Sequence, residues 1–237
     1  MAEGQKCVLE TLSYFNLEAL VIDKNWETES NFLQGIDPAR VFWADHKQLE
    51  QISSLSTAPK MLAVYRIPQK EIPAADALAD ELIIALDGIQ DPGNLGTIMR
   101  AADWFGVKHI IASHQTADIF NPKSVQASMG AIGRVSIYYA DLDKFLTDYK
   151  SATGRNVYGT LLEGENIYTS ALQSNGVIIM GNEGNGISAE IRNLIDMPLL
   201  IPSYPVGAQR VESLNVAMAT AITLAEFRRR QDTDKKE

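Results

Sequence analysis

Short apolar runs, each followed by a glycine- or proline-bearing loop and then a stretch of helical period, recur along most of this chain. The run at 82–86 (Leu-Ile-Ile-Ala-Leu) is apolar at every position, not at alternate ones. That is the pattern of a strand covered on both faces of a parallel sheet. Similar runs predict strands at 109–112, 135–139, 157–160, 177–180 and 198–201, and helices at 94–105, 122–129, 142–152, 188–194 and 213–230. Strand and helix in alternation define an α/β domain around a mostly parallel sheet. Ahead of it, 7–12 and 46–55 suit helices while 19–22, 41–44 and 61–65 suit strands, a second and smaller α/β unit. Met1-Ala2-Glu3-Gly4 runs abruptly into the first of these helices, as though an earlier strand were missing. Pro68, Pro73 and several alanines mark a boundary, which divides the chain into 1–70, a linker at 71–80 and a larger unit at 81–237.

The final helix poses the first chemical question. Leu214, Met218, Ala221 or Ile222, and Ala225 recur at helical spacing and predict the buried face. Ser213 stands where an N-cap belongs. Arg228-Arg229-Arg230 suit the helix C-terminus, where cations complement the dipole. Polar Glu212 and Asn215 flank an otherwise apolar helix start. A plain core helix does not need that asparagine, whereas a pocket at a helix N-terminus can use it.

Two other loops pose the same question. After the first strand of the larger unit comes Asp91-Pro92-Gly93-Asn94-Leu95-Gly96, leading into a helix that carries Arg100. Ligands of open α/β sheets bind beyond the carboxyl ends of strands, where this loop lies. Leu95, Ile98, Ala102 and Phe105 form the buried stripe. Arg100 is about 200° around from Ile98 and faces away. Gly96, one turn earlier, leaves the approach to Arg100 clear, which suits a phosphate or a ribose. A solvated arginine paired with Asp103 is the blander reading, and Asn94 serves equally as a simple N-cap. The other loop, Gly181-Asn182-Glu183-Gly184-Asn185-Gly186, also joins a strand to a helix. Its glycine order is not that of the dinucleotide fingerprint, and no phosphate-loop lysine follows. Glycines there let backbone approach a flat ligand closely. Glu183 either holds the turn or binds a hydroxyl or cation; a mere turn is the alternative for the whole loop.

Composition narrows the field. The chain of 237 residues is 46% hydrophobic and 22% charged, ordinary for a folded protein. No run reaches the roughly 18 apolar residues a membrane span requires, and no leader pattern is present, so a cytoplasmic location is the expectation. A lone Cys7 and three unclustered histidines, His46, His109 and His114, supply neither a metal site nor a Ser-His-Asp array. The net charge of -9 argues against extensive coating of nucleic acid. A local patch remains open, with Arg100, Lys123, Arg134 and Arg210 near the unusual loops.

Taken together, the three loops resemble the SpoU (TrmH-type) branch of the SPOUT methyltransferases. Asp91 to Gly96 with Arg100 is similar to the family's first motif, and Gly181 to Gly186 to its second. Ile201-Pro202 with Ser213-Leu214-Asn215-Val216 is similar to the third, and Asn121-Pro122-Lys123, Ser128 and Gly130 to the segment between the first two. Glu3-Gly4 and the helix after it resemble the ribosomal-protein-like RNA-binding domain often attached in front. The resemblance implies a mostly parallel α/β sheet with a C-terminal trefoil knot, in which the chain beyond Ile201 threads a loop near the second motif. It also implies a homodimer packed through the knot, and S-adenosylmethionine as methyl donor to a ribose 2′-hydroxyl of ribosomal or transfer RNA. Thr160, Gly181, Ile201, Leu214 and Asn215 are implied as donor-binding, and Asn94, Arg100, Glu183, Ser213 and Asn215 as the catalytic set around the acceptor. No metal is implied. The chain departs from the family pattern in a longer 201–214 loop bearing Tyr204, Gln209 and Arg210, in Gln126 where a basic residue is usual, and in its short front unit. A noncatalytic RNA-binding or assembly protein that kept the fold is the rival reading, because of the acidic charge.

Overall fold

The computed structural model describes residues 1–26, 32–205 and 213–234. The N-terminal part contains β1 (Ala2–Glu3), α1 (Gln5–Thr11), β2 (Leu17–Asp23), β3 (Val41–Ala44), α2 (His46–Ile52) and β4 (Met61–Tyr65). Its four-stranded sheet has the order β1-β4-β2-β3, with β2 and β3 parallel and the other pairs antiparallel. Asp45 and Gln48 close a reciprocal capping box that starts α2. The residues before α1 thus pair as a strand, with Ala2 opposite Ala63.

The larger part alternates strand and helix as the apolar runs suggest. It comprises β5 (Leu82–Asp87), α3 (Pro92–Trp104), β6 (His109–Ser113), α4 (Pro122–Ser128), β7 (Ser136–Ala140) and α5 (Leu142–Thr153). There follow β8 (Val157–Asn166), β9 (Gly176–Gly181), α6 (Ala189–Arg192), β10 (Met197–Leu200) and α7 (Val216–Asp234). The six strands are ordered β10-β8-β9-β5-β6-β7, and every pairing is parallel. From β5 the chain winds outward to β7, then returns to the other side through β8 and β9. The strand order reverses between β5 and β9, which places a crevice at their carboxyl ends.

The unbroken apolar character of β5 has a direct cause. Ile84 and Leu86 feed the core shared with α3 and α7, while Ile83 and Ala85 feed the core under α5. All four are fully buried, at about 1.5–3 kcal/mol for each large side chain. The first of these cores is continuous with Leu20, Ile22, Met61 and Ala63 of the N-terminal sheet. An ion-paired clasp lies over the same junction: Arg134 joins Asp103 of α3 and Glu10 of α1, each at 2.8 Å.

Three expectations from the spacing alone change. The buried face of α7 is Val216, Ala217, Thr220, Leu224 and Phe227; Leu214 and Met218 are exposed, and Ala221 and Ile222 only half-buried. With apolar residues on both sides of this helix, periodicity could not choose between them. The cap before α7 is Asn215, not Ser213: its side-chain oxygen accepts hydrogen bonds from the Ala217 and Met218 amides at 3.0 and 3.3 Å. Asp91, not Asn94, caps α3, accepting from the Asn94 amide at 2.8 Å. The path from Ile201 to Leu214, on which the expected knot depends, passes through 206–212. Those residues, Gln209, Arg210 and Glu212 among them, lie outside the described residues.

Candidate active site

Four chain segments meet beyond the carboxyl ends of β8, β9 and β10. They enclose a cavity of about 420 Å³ lined by Thr160, Gly181, Glu183, Ile201, Ser213 and Leu214, with Met180, Ile187, Leu199, Val216 and Ala219 adding apolar surface. The volume falls within the usual range for small-molecule sites. All seven residues of the 181–187 loop contribute to the lining. That loop is folded tightly on itself: the Asn182 amide donates to the Gly186 carbonyl, and the Gly186 amide to the Asn182 carbonyl, both at 2.9 Å. A Cβ on Gly181 would stand 2.4 Å from the Gly186 carbonyl carbon and 2.5 Å from the Ile187 nitrogen. Gly181 is therefore glycine because the loop closes against it.

The side chain of Asn182 pins this loop, a role the sequence reading missed. Its oxygen accepts from the Gly184 and Asn185 amides at 2.9 and 3.0 Å. Its amide donates to the Gly88 carbonyl at 2.7 Å. Asp87 completes the tie by accepting from the Ser188 amide at 2.7 Å. The tendency of asparagine to fold the following backbone against its own side chain was the available signal.

At the rim, residues from all three loops join. Asn215 donates to the Asn94 side-chain oxygen at 2.9 Å, and Asn94 donates to Glu183 Oε1 at 2.7 Å. The partners in these two contacts are 121 and 89 residues apart in sequence. Glu183 and Ser213 reach the cavity itself; Asn94 and Asn215 stand behind Glu183 and are not part of the lining. Thr160 donates to the Ile179 carbonyl at 3.2 Å, so its hydroxyl is already engaged. Arg192 and Glu163 sit at the outer lip, 3.9 Å apart.

Arg100 behaves differently from the rest of the set. It lies on the exposed face of α3, away from Leu95, Ile98 and Ala102 as its spacing requires, and outside the cavity lining. The i+3 partner considered for it is taken, since Asp103 is held by Arg134. Gly96 does not clear space for Arg100 but is buried against α4, where a Cβ would meet the Ser124 carbonyl at 2.4 Å. Lys123 is paired with Asp91 at 2.7 Å, and that hydrogen bond is the main reason the Asp91 carboxyl is held below the usual carboxylate range. Of Arg100, Lys123 and Arg134, only Arg100 has no carboxylate partner among the described residues.

A parallel α/β sheet whose cavity lies beyond the carboxyl ends of its strands defines a small-molecule-binding domain whose ligand sits on folded loops. Residues 81–225 match the model of the SpoU rRNA Methylase family, and the chain belongs to that family. It is 30% identical to a 23S rRNA (guanosine(2553)-2′-O)-methyltransferase from Bacillus subtilis, across 96% of this chain and 88% of that protein. To a 23S rRNA (guanosine-2′-O-)-methyltransferase from Neisseria meningitidis it is 31% identical, across 81% of this chain and 77% of the relative. Among solved structures, one described as an RNA methyltransferase of the TrmH family from Porphyromonas gingivalis superposes with a TM-score of 0.82 and 37% identity, over 96% and 88% of the two chains. An AdoMet-bound rRNA methyltransferase from Sinorhizobium meliloti gives 0.81 and 30%, over 97% and 86%.

Proposed function

We propose that this chain is an S-adenosylmethionine-dependent methyltransferase that acts on a ribose 2′-hydroxyl of RNA, with ribosomal RNA the first substrate to test. The observation that carries the reading is the cavity whose rim holds Glu183 and Ser213, with Asn94 and Asn215 bonded in line behind Glu183. A donor with a flat base, a ribose and an amino-acid tail fits a lining of glycine-rich loop and apolar residues. Backbone amides and carbonyls of 181–187 can pair with a base edge, while Met180, Leu199, Ile201 and Leu214 contact its faces. Bound there, the donor supplies a methyl group on a positively charged sulfur.

The protein's own work is then to align the acceptor and manage charge. A ribose hydroxyl is a weak nucleophile at neutral pH, so orientation against the methyl and removal of one proton carry much of the rate. Arg100 anchors the acceptor's phosphate and offsets the charge that develops on its oxygen. A guanidinium has no acceptor site and is not the base. Ser213 contacts the acceptor at the cavity mouth. Residues 1–70 form the unit that docks RNA, joined through 71–80 to the methyltransferase unit at 81–237.

The working form is a cytoplasmic homodimer built on a C-terminal trefoil knot. Exposed apolar side chains on adjacent helices support the dimer. Trp104 of α3 is 84% exposed and Met218 of α7 62% exposed, on helices that pack together. Among the described residues no helix is long and apolar enough to cross a membrane. Calorimetry with S-adenosylmethionine, followed by methyl transfer to 23S rRNA, tests the reading. Arg100→Ala is expected to cost at least about 10²-fold in turnover while donor affinity stays within twofold. A chain that binds RNA but not the donor would be the noncatalytic relative instead.

A further inference from the structure

The bonds behind Glu183 have a direction that the helix backbone fixes. The atom of Asn215 facing the Ala217 and Met218 amides must be its carbonyl oxygen, because both neighbours are donors. The Asn215 NH2 group is thereby turned outward, where it donates to Asn94 at 2.9 Å. The atom of Asn94 that receives it must be oxygen, so the NH2 group of Asn94 faces Glu183 and donates to Oε1 at 2.7 Å. Each amide is used at both ends, and neither has freedom to flip. Glu183 is left with one carboxylate oxygen occupied, while Oε2 has no hydrogen-bond partner among the described residues, at the cavity rim.

We propose that Asn215 and Asn94 are positioning residues in a one-way relay from the start of α7, and that Glu183, held by it, accepts the hydrogen of the acceptor hydroxyl. The inference rests on the methyltransferase reading above and assigns within it the base that Arg100 cannot supply. In the step, Glu183 Oε2 takes the 2′-hydroxyl proton as an oxygen electron pair forms the new C–O bond. The sulfur keeps the electrons of the broken S–C bond and becomes a neutral thioether. Glu183 is exposed, so the proton then passes to water. The relay gives Glu183 a donor on one side only, which fixes the carboxylate plane without using the oxygen that does the chemistry. Positions near both ends of the relay line the same cavity, Glu183 at one and Leu214 and Val216 beside Asn215 at the other, so the segment that closes the cavity also orients the base.

Polarity provides the test. Asn215→Asp keeps a good N-cap, but a carboxylate cannot donate to Asn94. Asn94 must then turn its NH2 toward Asp and present its carbonyl to Glu183, which loses its anchor. The expected result is a fall in kcat of about 10²-fold, with the dissociation constant for S-adenosylmethionine within twofold and a lowered melting temperature. Glu183→Gln is expected to lose at least as much kcat. The double variant Asn215→Asp/Glu183→Gln rebuilds the chain of bonds in reverse, with the glutamine donating to the turned Asn94. Its melting temperature should recover towards wild type while kcat stays low. Full kcat in Asn215→Asp, or no recovery of melting temperature in the double variant, overturns the relay. Full kcat in Glu183→Gln overturns the base. If the wild-type chain neither binds the donor nor methylates RNA, the methyltransferase reading and the role of Glu183 as base both fall. The melting temperatures still decide the relay.

Discussion

Gly96 lies where α3 packs on α4, and the contact leaves no room for a methyl group. A Cβ there would sit 2.4 Å from the Ser124 carbonyl oxygen, 2.6 Å from Ala127 Cβ and 2.9 Å from the Ser128 amide nitrogen. Two of these three neighbours are backbone, so the helices must part. Gly96→Ala is expected to lower stability by about 1–3 kcal/mol despite alanine's higher helix propensity. The midpoint of urea unfolding measures it, and an unchanged or raised midpoint would show that the packing yields freely. The sequence shows that a side chain is missing at position 96 but not which neighbour needs the gap, and the nearby Arg100 was the wrong beneficiary. Ser213 and Asn215 illustrate the same limit. Both residue types cap helices well, they are two positions apart, and only the backbone path decides which does. The rotation of Arg100 away from Leu95 and Ile98 was legible because burial of those two fixes the helix about its axis. Its lack of a carboxylate partner among the described residues was not, because Asp103 is claimed by Arg134, distant in sequence.

Helix α7 is tied down at both ends by polar groups and shows apolar residues on two faces. At its C-terminal end Glu226 is buried and accepts from Arg229 and Arg230, each at 2.8 Å. Arg230 also donates to the Ser170 and Ile167 carbonyls beyond β8, and Arg228 to the Phe105 carbonyl at 2.6 Å. The three arginines do more than complement a helix dipole; two of them fasten α7 to neighbouring loops. The hydrogen bond from Arg229, followed by that from Arg230, holds the Glu226 carboxyl below the usual carboxylate range. A carboxyl with a lowered folded-state pKa stabilises above its unfolded value and loses that contribution as pH falls through the folded one. Glu226→Gln is therefore expected to cost about 1–3 kcal/mol near neutral pH. The gap from wild type should close as the pH drops below the ordinary carboxylate range, which thermal unfolding across pH would show. A gap that persists in acid would mean the loss is one of shape and not of charge. The existence of α7 and of six parallel strands was legible from period and from unbroken apolar runs. The buried face of α7 was not, because Leu214, Met218 and Ala225 satisfy the same spacing as Val216, Thr220 and Leu224.

At the scale of the whole molecule, the described chain leaves one part of the proposed catalytic set detached. Glu183, Asn94 and Asn215 are bonded together at the rim of the cavity, while Arg100 stands outside the lining on a face shared with Trp104. The family resemblance groups these residues with Ser213 as one constellation; the fold bonds three together and leaves Arg100 apart, a distinction that exists only once helices have positions. The homodimer proposed above supplies a reason. A second copy packed across the exposed sides of α3 and α7 would cover Trp104, Leu214 and Met218, and would bring one subunit's Arg100 to the other's cavity. Isologous contact of this kind makes two equivalent composite sites. Arg100→Ala and Glu183→Gln then damage opposite halves of each site. Mixed after dissociation and allowed to re-associate in equal amounts, the two inactive variants should form half of their dimers as hybrids, each with one intact site. Turnover of about a quarter of wild type is the expected recovery, since one of two sites works in half of the dimers. An arginine acting within its own subunit gives no recovery at all, because every subunit then lacks one of the two residues. Sedimentation of the same mixture separates that outcome from failure to associate, and Met218→Glu, on the exposed side of α7, should abolish both the dimer and the recovery.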